Sequence, residues 1–306
     1  MFSKNPFTFK EQIAQLQERG LQIANPVLAE KYLSNISYYR LGEYWYVMQS
    51  DKENHIFKPN SKFMDVVALY NFDAELRLLL FDVIEKIEIS LRTKLIYHLS
   101  HEIDPWWFQN KNCFINEYFF ETTLDTLKKE VKRSQNKDVI LKKHYRKYGK
   151  SKLPPAWKTI EYTSLGNLSK IYGNLSHKVK SKKVIAKEYG AVNHIYLPSW
   201  LQSIAQIRNF CAHHSRLWNR NLPNTVKLLP NPPNPWIRNN DNIPKENEFS
   251  KIYIHMCLMK YMLNTIQPNN NFKEKLSNLF DKYPNVDPNA LGMKPDWQNE
   301  PLWNQS

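Results

Sequence analysis

Glycine and cysteine are scarce, with 7 and 3 copies in 306 residues. So little glycine leaves few phosphate-cradling loops, and neither a G-x-G-x-x-G run nor a P-loop sequence is present. Dinucleotide and Walker-type nucleotide chemistry are therefore disfavoured. Cys113, Cys211 and Cys257 are too few and too scattered for a disulfide framework, and an odd count leaves at least one thiol free. No apolar run approaches the ~18 residues a membrane span requires, and mean hydropathy is −0.61. The opening MFSKNPFTFKEQ lacks the apolar stretch of a signal peptide. A reducing cytoplasm is the expected compartment, with no membrane partner. Alternating β patterns with paired turn signals are also missing.

What is present is charge of one sign. Lys and Arg number 43 against 29 Asp and Glu, a formal +14, while 42% hydrophobic residues suffice for a real core. Most of the excess lies in one run: Lys128, Lys129, Lys132, Arg133, Lys137, Lys142, Lys143, Arg146, Lys147, Lys150 and Lys152 face only Glu130 and Asp138. A second group, Lys178, Lys180, Lys182, Lys183 and Lys187, is opposed only by Glu188. One such run alone is usually a solvated face. Two runs interleaved with Tyr145, Tyr148, Tyr172 and Tyr189 suggest a nucleic acid, whose phosphates the cations neutralise while flat rings stack on bases.

Periodicity predicts helices throughout. Thr8 and Glu11 have capping-box spacing ahead of a helix ending at Gly20, and Asn25-Pro26 opens a second that runs toward the aromatic stretch 37–46. From Phe63 to about Leu99 no Pro or Gly intervenes, and Leu76, Leu80, Val83, Ile84, Ile87, Leu91 and Leu95 recur at spacings of three and four. This is a long amphipathic helix, and a break in it would fall near Asp73. Further helices are predicted over 116–134, around Gly166, from Leu197-Pro198-Ser199 onward, and over about 249–266. Six prolines, Pro223, Pro230, Pro232, Pro233, Pro235 and Pro244, make 221–249 a long irregular connector. The fold class is all-α. The chain reads as a single unit, 1–306, comprising N-terminal helices (1–110), a basic helical insertion (111–192), and the motif helix, connector and C-terminal helices (193–306).

The most informative segment is WLQSIAQIRNFCAHHSRLWNR, residues 200–220. On a wheel of ~100° per residue, Trp200, Ile204, Ile207, Cys211, His214 and Trp218 form one apolar line, placing His214 on the core side. Arg208, Asn209, Ala212, His213, Arg216 and Arg220 take the other side. Three cations on one helix face repel each other, and an anion would compensate them. A histidine exchanges protons near neutrality, and an arginine holds a phosphate bidentately. Together they suit RNA cleavage, because the 2′-hydroxyl is an internal nucleophile needing only a base, an acid and charge stabilisation. No metal is obligatory, and no cofactor is expected. A zinc site assembled from Cys211, His213, His214, His255 and Cys257 lacks ligand spacing.

Arg208-Asn-Phe-Cys-Ala-His213 resembles the R-x4-6-H signature of HEPN-domain ribonucleases, and RNFCAHHSRLWNR is similar to the pattern of the Abi family of abortive-infection proteins, AbiD/AbiF type. KEQIAQLQERGLQI (10–23), ISYYRLGEYWY (36–46), EKIEISLRTKL (85–95) and GMKPDWQNEPLW (292–303) resemble that family as well. The resemblance implies a HEPN-like helical bundle with additional helices, and a metal-independent endoribonuclease acting as a toxin or anti-phage effector. It further implies a structured small non-coding RNA partner besides the target RNA, and a homodimer that supplies a second copy of the motif. His213 is the expected acid–base residue, Arg208 the phosphate stabiliser and Asn209 a polar positioner. His214 also satisfies the spacing and is expected to be structural. Glu88 and Arg92, i,i+4 on the long helix, are either auxiliary site residues or an ordinary ion pair. The expected RNA-binding residues are Lys128, Lys129, Lys132, Arg133, Lys142, Lys143, Arg146, Lys147, Lys150, Lys180, Lys182, Lys183, Arg216 and Arg220. A non-catalytic RNA-binding regulator is the alternative.

Overall fold

A computed structural model describes residues 5–149, 153–223, 226–238 and 250–304. Among the described residues there are twelve α-helices: α1 (Phe9–Glu18), α2 (Pro26–Ile36), α3 (Tyr38–Trp45), α4 (Phe63–Glu102), α5 (Glu117–Ser134), α6 (Val139–Tyr148), α7 (Ala156–Thr159), α8 (Leu165–Asn174), α9 (Lys180–Glu188), α10 (Leu197–Ala212), α11 (Ile252–Ile266) and α12 (Phe272–Lys282). The only sheet among the described residues is a ribbon of β1 (Gln49–Asp51) and β2 (Ile56–Phe57), antiparallel with Gln49 opposite Phe57. The fold is all-α, as the periodicity predicts; the ribbon is too short to leave an alternating pattern. The helix expected from about 249 begins at Ile252, and Phe249 lies outside the described residues, as does Pro244 of the connector.

The chain divides into two compact units, one of 1–77 with 276–287 and one of 78–275 with 288–306. In the first, Thr8 and Glu11 form the expected capping box of α1. Gly20, at φ 94, ends that helix, with Leu21 N–H returning to Leu16 O and Gly20 N–H to Gln17 O. Ser37, at φ 76, separates α2 from α3 and caps the latter. Asp73 does not break α4. It is fully buried, accepts a hydrogen bond from Tyr44 (2.7 Å), and pairs with Arg77 one turn on (2.5 Å). Phe72 packs against Phe280 and Tyr283, and Tyr283 and Lys282 both donate to Glu75.

The second unit surrounds a core to which Leu80, Val83, Ile84, Ile87, Leu91, Leu95 and Leu99 of α4 contribute their buried stripe. Glu102, the last residue of α4, accepts from the backbone N–H of Lys180 (2.7 Å) and of Ser181 (2.6 Å), so a carboxylate closes the first turn of α9. At its other end α9 stops at Gly190. Helices α5 and α10 pack on α8, and α10 also packs on α11, which is buried from Ile252 to Leu263. All three cysteines are buried, and none is in a disulfide. Among the described residues no helix is long and apolar enough to cross a membrane.

Candidate functional site

Helix α10 carries the motif. Pro198 presets its second residue, and Trp200, Leu201, Ile204, Ala205, Ile207 and Cys211 supply the buried face. Trp200 Nε1 donates to Lys227 O (2.8 Å), and Ser203 Oγ is bonded to Nδ1 of the buried His255. The helix ends earlier than the wheel assumed. Ser215 N–H bonds back to Phe210 O (2.9 Å) and His214 N–H to Cys211 O (3.1 Å), a Schellman stop with His213 as the capping residue. His214 takes the left-handed position at φ 56, where α1 and α9 use Gly20 and Gly190.

That stop corrects three expectations. His214 is exposed rather than core-facing, because the reversed backbone swings it off the helical line. Arg216 and Arg220 are not on the helix, so no face with three arginines exists. Trp218 is buried as expected, but from a loop that folds back, not from a continuing helix. The loop returns Arg220 to the motif: its guanidinium lies 4.5 Å from the Phe210 ring centroid. Arg216 Nη1 donates to Trp218 O (3.1 Å).

Arg208, Asn209 and His213 lie on or at the end of the last turn of α10. Arg208 is half-buried, and Asn209 and His213 are exposed. Among the described residues none of these three side chains makes a hydrogen bond or ion pair within the chain. Glu88 and Arg92 are instead committed to each other (2.7 Å), and Arg92 also donates to Thr163 O (3.0 Å). Among the described residues neither makes a hydrogen bond or ion pair with the 208–214 segment. The residues weighed as zinc ligands do not assemble either: His255 sits inside α11 with Cys257, while His213 and His214 face solvent.

Lys251 was missed in the sequence. It stands 38 residues beyond His213 across the proline-rich connector, and nothing in its neighbours marks it. Its Nζ donates to Asn219 Oδ1 (3.0 Å), on the loop that carries Arg216 and Arg220.

The basic surface is narrower than expected. Lys128, Lys129, Lys132 and Arg133 on α5 and Lys142, Lys143, Arg146 and Lys147 on α6 are exposed, as are Lys180 and Lys183 on α9. Lys150 lies outside the described residues. Acids answer two of the cations, exposed Asp125 with Lys128 and half-buried Glu130 with Arg133. Lys182 is not on the surface. It is 2% exposed, and its ammonium donates to the carbonyls of Gly173 (3.1 Å) and Leu175 (2.5 Å), closing the C-terminal end of α8. Burial pulls its pKa down to about 8. Tyr172 and Tyr189 are fully buried, bonded to Lys182 O and Ser90 Oγ, and cannot stack on bases. Of the four interleaved tyrosines, Tyr148 is exposed and Tyr145 half-buried.

No curated protein and no solved structure gives a significant match to the chain. A family model described as Abi-like protein matches residues 31–219, a span running from within α2 through α10 to the loop residue Asn219. That match covers more than half of the sequence and contains the motif helix with its Schellman stop, so the chain belongs to the Abi-like protein family.

Proposed function

We propose that this protein is an endoribonuclease of the abortive-infection type that cleaves RNA by attack of the 2′-hydroxyl, with His213 and Arg208 at its centre. The observation carrying the reading is that Arg208, Asn209 and His213 sit together at the end of α10 with their side chains uncommitted within the chain. His213 caps α10 through its backbone alone, which leaves its imidazole unspent, whereas polar side chains kept for packing are expected to spend their atoms locally.

In the reaction, His213 takes the proton of the 2′-hydroxyl, the oxygen attacks phosphorus in line, and the 5′-oxygen leaves with a proton. The guanidinium of Arg208 balances the charge that builds on the phosphoryl oxygens, and Asn209 orients the phosphate. One histidine cannot act as base and acid at the same instant. A second copy of the chain, docked so that two α10 ends face one phosphate, supplies the partner group. Helices α5 and α6 hold the flanking RNA, and a structured small RNA bound there restrains the nuclease until infection.

Purified protein is incubated with RNA and the product ends are identified. Cleavage leaving 2′,3′-cyclic phosphate, reduced at least about 100-fold by His213→Ala, is expected. RNA binding that is unchanged by His213→Ala, with no cleavage by the parent protein, would leave the regulatory alternative standing.

A further inference from the structure

Of the nine tryptophans in the chain, six are buried and Trp236 is half-buried. Only Trp106 and Trp157 stand exposed, at 42% and 50%. They are distant in sequence and joined in the fold. Ala156 N–H donates to Pro105 O (2.8 Å), and Trp106 Nε1 donates to Leu153 O (2.9 Å), so the chain on either side of the basic helices α5 and α6 is tied together where the two tryptophans lie.

The Trp106 ring is fixed before any ligand arrives. Its backbone N–H donates to Asp104 Oδ1 (2.6 Å) and its indole N–H is engaged by Leu153, so the part left to solvent is ring carbon. A ring immobilised in advance loses little entropy on binding. The surface is also continuous with the cations of α5 and α6. Helix α7, which carries Trp157, runs into the turn Ile160–Tyr162, and that turn packs on α5. The Tyr162 hydroxyl is bonded to Asp138, the residue that caps α6. Burial first, and the ammonium of Lys158 second, hold the His144 imidazole of α6 below the ordinary histidine range, which places the cation next to Trp157 close to that helix.

We propose that Trp106 and Trp157 form a stacking surface for the bases of a single-stranded RNA whose phosphates lie along α5 and α6. The inference rests on the ribonuclease reading for the identity of the strand, while the surface itself is tested by binding alone. Charge selects the occupant: flat apolar rings beside a surface rich in cations fit a polyanion that carries aromatic bases, whereas a neutral apolar partner would leave those cations uncompensated. A duplex keeps its bases inside the stack, so the strand is unpaired where it meets the rings. Every base has a π-face, so the surface adds affinity without choosing a sequence.

The probes are oligouridine and oligoadenosine of about ten nucleotides, 2′-O-methylated throughout so that no hydroxyl can attack, and a backbone with as many phosphates and no bases. Each is titrated by fluorescence anisotropy over a range of salt. Bases are expected to tighten binding to the parent protein at least about 10-fold over the base-free backbone. Trp106→Leu and Trp157→Leu each lower that ratio, and Trp157→Phe keeps most of it. The slope of log K against log salt stays unchanged in all three, because no phosphate contact is lost. Lys142→Gln, on α6, does the reverse, lowering the slope and keeping the ratio. Trp106→Leu gives up the bond to Leu153, so where it lowers thermal stability Trp157→Leu decides. A ratio near one in the parent protein, or an undiminished ratio in the leucine variants at unchanged thermal stability, overturns the surface. Failure of the ribonuclease reading looks different: RNA with free 2′-hydroxyls stays intact while the base ratio still depends on the tryptophans.

Discussion

His213 and His214 are neighbours in sequence with opposite duties in the backbone. His213 lies in the bridge region at φ −93 and ψ 9, whereas His214 occupies the left-handed well that costs a non-glycine residue ~1 kcal/mol or more. In urea denaturation His214→Gly is therefore expected to be more stable than His214→Ala by about 1 kcal/mol, both having lost the imidazole, and to leave RNA cleavage intact. Loss of cleavage in that variant would transfer the catalytic role to His214. Lys182 gives a second test at this scale. Folded, it releases its proton at about pH 8; unfolded, it holds it to about 10.4. Between those values unfolding takes up a proton, so this lysine's contribution to stability rises with pH and its burial penalty is fully present below pH 8. Calorimetry at pH 9, in buffers of different ionisation heat, should show Lys182→Met unfolding with about one proton less uptake than the parent.

At the scale of elements, α4 and α10 differ in how far sequence spacing could be trusted. The stripe of α4 was readable because its apolar residues recur over many turns, and the polar interruption at Asp73 is absorbed by a partner one turn away. Arg77→Leu should strand the Asp73 carboxylate in the core and cost about 3–5 kcal/mol, measured by denaturant midpoint; a cost under 1 kcal/mol would show that Asp73 simply takes up a proton. Helix α10 matches the sequence pattern to Ala212 and departs from it at His214, although His213 is exposed and Trp218 buried as expected. A Schellman stop normally announces itself with glycine, and here a histidine fills that position, so the wheel ran on through residues already in a loop. The buried Lys182 escaped detection for a similar reason: its duty to the α8 carbonyls arises from tertiary packing, which a run of lysines conceals. The exposed tracts of α5 and α6 match expectation because both have clear caps, Asn116 and Asp138, and strongly polar outer faces.

For the whole molecule the net charge of +14 sets the response to salt. If the exposed cations of α5 and α6 grip RNA, neutralising Lys142, Lys143, Arg146 and Lys147 with glutamine should lower the slope of log K against log salt by about 3, near 0.7 per lost phosphate contact on a single strand. Binding isotherms from low to moderate salt measure this, and an unchanged slope places the RNA elsewhere. The family was legible in the sequence because it is carried by contiguous blocks. Lys251 was not, since its place beside the motif loop exists only once the chain has closed around Gly292.

The buried ammonium that ends α8 also has a kinetic consequence. An amine-acetylating reagent can reach Lys180 and Lys183 in the folded protein, whereas Lys182, between them in sequence, reacts only when α8 and α9 part. Its labelling rate, followed by peptide mass mapping, is a clock for the parting of α9 from α8, the helix on which α10 packs. An RNA that clamps this region should slow that clock without touching the residue that reports it.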